Sequence, residues 1–307
     1  MSGGRFDTLA QALRQSYDYK LGINAAGESA LPDRETVARI CSSVLALMFP
    51  GYFRREDVSA ARIDQHLQLG LAELETALSS QVVQALRFEL RARGEAAPPN
   101  LAARSREKVD DLLADLVAVR ELLVSDVEAA YANDPAAANR ETIVVSYPCI
   151  EALAVQRFAH RLYQRGVPLI PRMMTELVHS HTGIDIHPGA RLGESCFIDH
   201  GTGVVIGETA VLGKRCVLYQ GVGLIAWNPL AKGKDGELPR GQANRRHPTV
   251  EDHVTLYAGA TVLGGDTVIG HHSVIGGNVW LTHSVEPYSV VTIKDPELNI
   301  RTKTKKA

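Results

Sequence analysis

The sequence predicts an α+β multidomain protein: an all-helical N-terminal domain followed by a parallel β-coil of hexapeptide repeats. Two successive periods carry this reading. Up to about residue 181 the apolar residues recur at helical spacing, and from Gly183 onward they recur every sixth residue. With 307 residues, 45% of them hydrophobic and 22% charged, the chain is long and apolar enough to bury at least one large core.

In the first part, Val37, Ile40, Val44 and Met48 follow Asp33 as a helix N-cap, and Pro50 stops the run. Further helices are expected over Ile63 to Leu78, Val82 to Leu90, Val109 to Val127 and Ile150 to Tyr163, the last closed by Gly166 and Pro168. Turn chemistry marks breaks at Glu95-Ala-Ala-Pro-Pro-Asn100 and Ala132-Asn-Asp-Pro135. Met173, Met174 and Leu177 share a helical face and read as core packing rather than a ligand groove. The helical domain is therefore set at residues 1–181.

In the second part, Ile186, Leu192 and Ile198 are in step, and Ile206, Leu212, Leu218 and Leu224 follow after a two-residue slip. Leu263, Ile269 and Ile275, each preceded by valine and followed by glycine, continue the pattern. Six residues make a short strand and a turn, with the aliphatic residue pointing inward and a glycine or small polar residue at the tight corner. Three such units close one triangular coil. Cys196 and Cys216 each lie four residues after a repeat leucine, where a small buried side chain fits. The coil domain spans 182–293 with a loop at about 224–248, and 294–307 form a C-terminal tail.

Composition excludes several functions. A formal net charge of -2 offers no field for nucleic acid, and the basic end at Arg301 to Lys306 reads as a solvated tail. The apolar runs are too short for a membrane span and the N-terminus lacks an apolar signal region, which implies a cytosolic protein. Four cysteines without a CxxC pair suggest reduced thiols, with no disulfide framework or thiolate zinc site.

A regular coil offers only packing and corner positions, so chemistry is expected where the repeat breaks. One break is Ile198-Asp-His-Gly-Thr-Gly203. The other is the excursion from about Leu224 to Pro248, carrying Trp227, Lys232, Lys234, Arg240, Arg245, Arg246 and His247. Together they supply base, acid and cation.

The hexapeptide pattern over roughly residues 183 to 293 resembles the left-handed parallel β-helix of the hexapeptide-repeat acyltransferases. That resemblance implies side-by-side trimers with the acyl-coenzyme A site between neighbouring coils. Gly183-Ile-Asp-Ile-His-Pro188, Ile198-Asp-His-Gly-Thr-Gly203, Ile206-Gly-Glu-Thr-Ala210 and Arg245-Arg-His-Pro248 narrow it: in this order and spacing they resemble the serine acetyltransferases. Tyr147-Pro-Cys-Ile-Glu-Ala152 and Arg157-Phe-Ala-His160 extend the likeness back to about residue 130.

Acetyl transfer from a thioester to an alcohol requires a base for the attacking hydroxyl and an acid for the departing thiolate, and one histidine can do both. The resemblance implies that His200 is that residue, with Asp185 orienting its ring. L-serine brings an ammonium and a carboxylate, which suit carboxylates and a planar cation respectively. By the same resemblance Asp134 and Asp199 bind serine from the acidic side, Arg246 grips its carboxylate, and His247 contacts serine and stabilises the developing oxyanion. Arg245 is the nearest decoy. Asp134 stands in ordinary turn sequence and also fits a simple helix cap. Glu208 fits either a hydrogen-bonding partner of the site or a polar corner. For acetyl-CoA, the resemblance implies that Ala258, Gly259 and Gly264 let the pantetheine arm lie against the coil edge, although corners demand small residues anyway. Lys232 and Lys234 would meet the 3′-phosphate if the loop folds over the entry, although lysines on a surface loop are usually just solvated.

Two departures from the family pattern stand out. The stretch after Gln220-Gly-Val-Gly223 is much longer than the short Gly-rich form, so its loop contacts to coenzyme do not transfer. The chain ends Lys-Lys-Ala instead of in isoleucine, which puts a complex with O-acetylserine sulfhydrylase in doubt. A homotrimer is expected, with trimers pairing through the helical domain as a further form. Three other readings stay open: the same fold acting on a sugar or another hydroxyl acceptor, a γ-type carbonic anhydrase drawing zinc ligands from His187, His200, His247, His253, His271 and His272, and a non-catalytic scaffold. The expected enzyme itself needs no metal.

Overall fold

The computed structural model describes residues 3–17, 31–53, 58–227 and 245–294. Two compact units divide the chain, one up to Leu31 and one from Pro32 onward. In the first, helix α1 (Gly3–Tyr17) carries Phe6, Leu9, Leu13 and Tyr17 exposed along one side.

The second unit begins with α2 (Arg34–Met48), capped as expected by Asp33, whose carboxylate accepts from the Thr36 N–H at 2.7 Å. Val37, Ile40, Val44 and Met48 are buried. Helix α3 (Ile63–Ala92) is one continuous element where the periodicity suggested two. The intervening Ser79-Ser80-Gln81 contains no breaker, and Leu74, Leu78, Val82 and Ala85 form an unbroken buried stripe. The opposite happens further on, where the single helix expected over Val109 to Val127 is split into α4 (Leu101–Ala114) and α5 (Leu116–Asn133). Asp115, at the break, pairs with Arg165 at 2.8 Å. Helix α6 (Arg140–Ser146), capped by Asn139, α7 (Pro148–Gln164) and α8 (Ile170–Thr182) complete the helices. Met174 is fully buried, while Met173 and Leu177 pack against the core from its margin. Gly183 ends α8 in the left-handed conformation at φ 72°, which a side chain would resist.

From Asp185 the chain winds as a left-handed β-helix with three parallel sheets as its faces. The first face stacks Asp185–Ile186, Val205–Ile206, Gly223–Ile225, Thr261–Leu263 and Trp280–Leu281. The second stacks Arg191–Leu192, Val211–Leu212, Thr249–Val250 and Val268–Ile269. The third stacks Phe197–Ile198, Val217–Leu218, Thr255–Leu256, Val274–Ile275 and Val290–Val291. Inward columns such as Ile198, Leu218, Leu256 and Ile275 are fully buried, because each hexapeptide offers one aliphatic side chain to the axis. Cys196 and Cys216 are buried at the corners between the second and third faces, and burial pushes the Cys216 thiol up to about 11.

One register differs from the repeat read in the sequence. Val262, rather than Leu263, aligns with Leu224 and Leu281 in the inward column. The coil takes an extra residue there: Leu263 pairs with Ile225 as a third strand position, and Gly264 turns the corner at φ 96°. The described coil runs to Trp227 and resumes at Arg245. Lys232, Lys234 and Arg240 lie outside the described residues, as do residues 295–307.

The helices and the first coil are joined by a buried ion pair. Arg157 of α7 and Asp126 of α5 form a two-pronged contact at 2.6 and 2.7 Å, with both side chains almost wholly excluded from solvent. Arg157 also donates to the carbonyls of Leu192 and Gly193, and Asp126 accepts from the Cys196 N–H at 2.9 Å. Every charged atom thus has a partner, the condition for burying such a pair. Among the described residues no helix is long and apolar enough to cross a membrane.

Candidate active site

The polar residues singled out in the sequence gather at two edges of the triangular coil. The edge between the third and first faces carries the insertion Asp199-His200-Gly201-Thr202-Gly203, whose two additional residues make the corner project. His200 is held at φ 58°, and the Gly201 N–H reaches back to the Asp199 carbonyl at 2.6 Å, so His200 is the centre of a three-residue turn. Such a conformation is costly for a residue with a side chain and is kept where the surroundings enforce it. Gly201 has no alternative, since a Cβ there would lie 2.5 Å from Ile184 Cδ1. The imidazole stands 70% exposed with Nε2 at 3.7 Å from the Asp199 carboxylate.

Asp134 comes to this edge from the end of α5. One carboxylate oxygen accepts from the Ala136 N–H at 2.8 Å, and the other accepts from the Tyr147 hydroxyl. These two bonds, the tyrosine's first, hold its carboxyl below the usual range, and the nearby charge of His200 adds to the effect. Asp134 therefore caps its own turn and also faces the histidine. The Tyr147 phenol is pushed up to about 12, chiefly by its bond to Asp134, with Asp199 contributing at longer range. On the two coils above Asp199, Tyr219 and Tyr257 stack with ring centroids 5.0 Å apart.

The edge between the first and second faces holds the remaining candidates. His247 is buried, and its Nδ1 lies 3.1 Å from the Thr209 N–H and 2.9 Å from the Thr209 hydroxyl. Because a backbone N–H can only donate, Nδ1 is the acceptor and the neutral ring carries its proton on Nε2. Burial first, and then the neighbouring Arg246 guanidinium, lower its pKa to about 4. The Thr209 hydroxyl oxygen also accepts from the N–H groups of Arg246 and His247, both at 3.0 Å, which seats this dipeptide on the coil. The ring lies over Gly207, where any Cβ would come within 2.0 Å of His247 Cδ2.

Arg246 pairs with Glu208, whose other oxygen accepts from the Tyr163 hydroxyl at 2.6 Å. Burial works against ionisation of Glu208, but these two hydrogen bonds, together with the charges of His187 and Arg246, outweigh it and hold the carboxyl below its ordinary value. Of the two roles open to Glu208, the geometry is that of a partner orienting the Arg246 guanidinium. Arg245 donates instead to the Thr249 hydroxyl and lines a surface recess together with Glu208 and Thr209.

Asp185 is held by a different partner. It accepts from Arg172 of α8 at 2.9 Å, and among the described residues it makes no ion pair with the histidine. Arg172 is positioned to intercept it because α8 runs directly into the first strand and also carries Glu176, a second carboxylate for the same guanidinium. Nor do the three small residues expected near coenzyme share one place. Ala258 and Gly259 sit at the first edge, where Gly259 (φ 72°) is required by the corner and a Cβ would meet Asn278 Oδ1 at 2.4 Å. Gly264 sits at the other edge beside Trp227. The histidines weighed as zinc ligands do not form one set: His253 and His272 stack at the third edge, with His271 edge-on to His272. Among the described residues the one cluster with metal-ligand spacing is Glu176, His179 and Asp185, which Arg172 already bridges.

Thr209 and Tyr147 lie inside motifs noted in the sequence but had no assigned role. Nothing in a one-dimensional pattern relates Thr209 to His247, or Tyr147 to Asp134.

A left-handed coil of hexapeptides, interrupted by a projecting histidine and by a loop returning an Arg-His pair, defines a hexapeptide-repeat acyltransferase. The chain is 42% identical over 290 residues to the plasmid serine acetyltransferase of Synechococcus elongatus, covering 93% of this chain and 90% of that one. Among solved structures, Entamoeba histolytica serine acetyltransferase 1 in complex with L-cysteine matches with a TM-score of 0.71 and 34% identity over 93% of this chain and 97% of that one. Isoform 3 from the same organism, also in complex with cysteine, has a TM-score of 0.71 and 32% identity over 96% and 94%. No protein-family model matches the chain. The chain belongs to the serine acetyltransferase family.

Proposed function

We propose that the protein transfers the acetyl group of acetyl-CoA to the hydroxyl of L-serine, giving O-acetyl-L-serine and CoA, the first step of cysteine biosynthesis, in the cytosol. The observation that carries this reading is the grouping of Asp134, Asp199 and the exposed His200 at one projecting corner. Two carboxylates there suit the serine ammonium, and the imidazole can reach a hydroxyl held beside them. His200 takes the hydroxyl proton as the oxygen attacks the thioester carbonyl. The tetrahedral intermediate then collapses with the C–S bond breaking, and the same proton passes to the departing thiolate.

Arg246, aimed by Glu208, serves as the carboxylate clamp. His247, neutral with its proton on Nε2, is a donor suited to the developing oxyanion without the cost of burying a positive charge. Asp185 would orient His200 through its second carboxylate oxygen, the one that Arg172 does not take. Ala258, Gly259 and Gly264 remain the coenzyme contacts of this proposal. His200 and the Arg246-His247 pair belong to different edges of one coil, so a site using both forms between neighbouring coils. This supports a homotrimer as the working unit, with trimers pairing through the helical domain as a further form.

Thiol release from acetyl-CoA, measured with L-serine, L-homoserine, L-threonine and a simple sugar, tests the assignment. Release should depend on L-serine, and His200→Ala should lower turnover about 10²- to 10⁴-fold while leaving the oligomer intact. Sugar-dependent release without a serine response would overturn it.

A further inference from the structure

Asp134 occupies an unpromising position for precise work. It ends α5 in an Asn-Asp-Pro turn and is only half-buried, and a carboxylate there has rotamers to choose from and a second carboxylate, Asp199, nearby. Two donors remove that freedom. The Ala136 N–H takes one oxygen, and the Tyr147 hydroxyl takes the other from across a gap of 13 residues in sequence.

Tyr147 is itself rigidly placed. It precedes Pro148, which restricts it to extended backbone, and it sits at φ -87° and ψ 118° as the N-cap of α7. Its N–H donates to the Ile143 carbonyl at 3.0 Å and its carbonyl accepts from the Ile150 N–H at 3.1 Å. The ring packs against the apolar core. The phenol is thus launched from a fixed point between two helices, and its hydroxyl ends on Asp134.

We propose that Tyr147 is a positioning residue for the acceptor: its hydroxyl sets the Asp134 carboxylate so that Asp134 and Asp199 together receive the ammonium of the substrate. This rests on the reading of Asp134 as part of the ammonium site. The hydroxyl does two things there. It fixes one rotamer before substrate arrives, so less side-chain entropy is lost on binding. As a donor, it also stabilises the charged form of that carboxylate, and a phenol held up at about 12 keeps its proton throughout the working range.

Four proteins decide the matter: the parent, Tyr147→Phe, Asp134→Asn and the double variant, each assayed for kcat and KM toward L-serine and toward acetyl-CoA, with thermal melting as a check on folding. Phenylalanine keeps the ring and its packing and removes only the donor. Tyr147→Phe should lower kcat/KM for serine about tenfold, mainly through KM, with the acetyl-CoA KM and melting temperature unchanged. In the Asp134→Asn background the same change should add no further loss. The proposal is overturned if Tyr147→Phe leaves serine kinetics unmoved, if its loss persists undiminished in the Asp134→Asn background, or if acetyl-CoA KM and melting fall with it. If Asp134→Asn alone leaves serine kinetics unchanged, the ammonium site itself is misassigned and the role of Tyr147 goes with it.

Discussion

His247 is buried beside a guanidinium, and both conditions disfavour its charged form, so the folded protein keeps the ring neutral down to about pH 4. An unfolded chain protonates the same ring near its ordinary value of about 6.5. Between those values the unfolded state binds a proton that the folded state refuses. Stability should therefore fall as pH drops from about 6.5 towards 4, by up to roughly 3 kcal/mol from this residue, and level off below. His247→Asn should flatten that slope in urea titrations run at fixed protomer concentration across the window. Burial lowers His187 as well, so a residual slope of the same sign should remain. A full parental slope in the variant would mean that another group refuses the proton. At this scale the sequence was informative about identity and poor about partnership. His200, Arg246 and His247 are legible because they break a repeat. The Thr209 bonds that fix the His247 tautomer are not, because residues 209 and 247 become neighbours only when the excursion returns to the coil.

The joint between helices and coil depends on two side chains. Arg157 and Asp126 are buried with all their hydrogen bonds made, and they link α5 and α7 to the carbonyls and N–H groups of the first coil. Arg157→Met would leave the Asp126 carboxylate buried and unpaired, and should cost about 3–5 kcal/mol. Denaturant unfolding of the single variant and of Arg157→Met/Asp126→Leu checks this: the double variant should recover much of the loss, since removing both charges leaves none stranded. Failure to recover would mean that the bonds to Leu192, Gly193 and Cys196 matter more than the charge pair. The elements themselves were legible to the extent that local chemistry defines them. Asp33 capped α2 because its carboxylate bonds the Thr36 N–H, a contact contained in four residues. The break at Asp115 was hidden because its Arg165 partner is on another helix. In the coil, the six-residue period located the inward residues from Ile186 to Leu224 and again at Ile269 and Ile275, but it did not reach Val250, Leu256 or Leu281, and at Val262 an added residue lets Leu263 mimic the repeat.

At the scale of the whole molecule, the proposed site residues divide between two edges of one triangular coil, and those edges point in different directions. His200 with Asp134 and Asp199 is at one edge, and Arg246 with His247 is at the next. In a ring of copies related by rotation, the first edge of each subunit can meet the second edge of its neighbour, which is a heterologous contact that closes. This arrangement makes a distinctive prediction about mixtures. His200→Ala and Arg246→Ala subunits should each be nearly inactive alone. Unfolded together in equal amounts and reassembled, they produce interfaces in which the His200 donor is an Arg246→Ala subunit and the Arg246 donor is a His200→Ala subunit. Random assortment makes about a quarter of the interfaces intact, so the mixture should regain about a quarter of parental serine-dependent thiol release. A site contained within a single chain predicts no recovery at any mixing ratio, because every subunit would still lack one of its two residues.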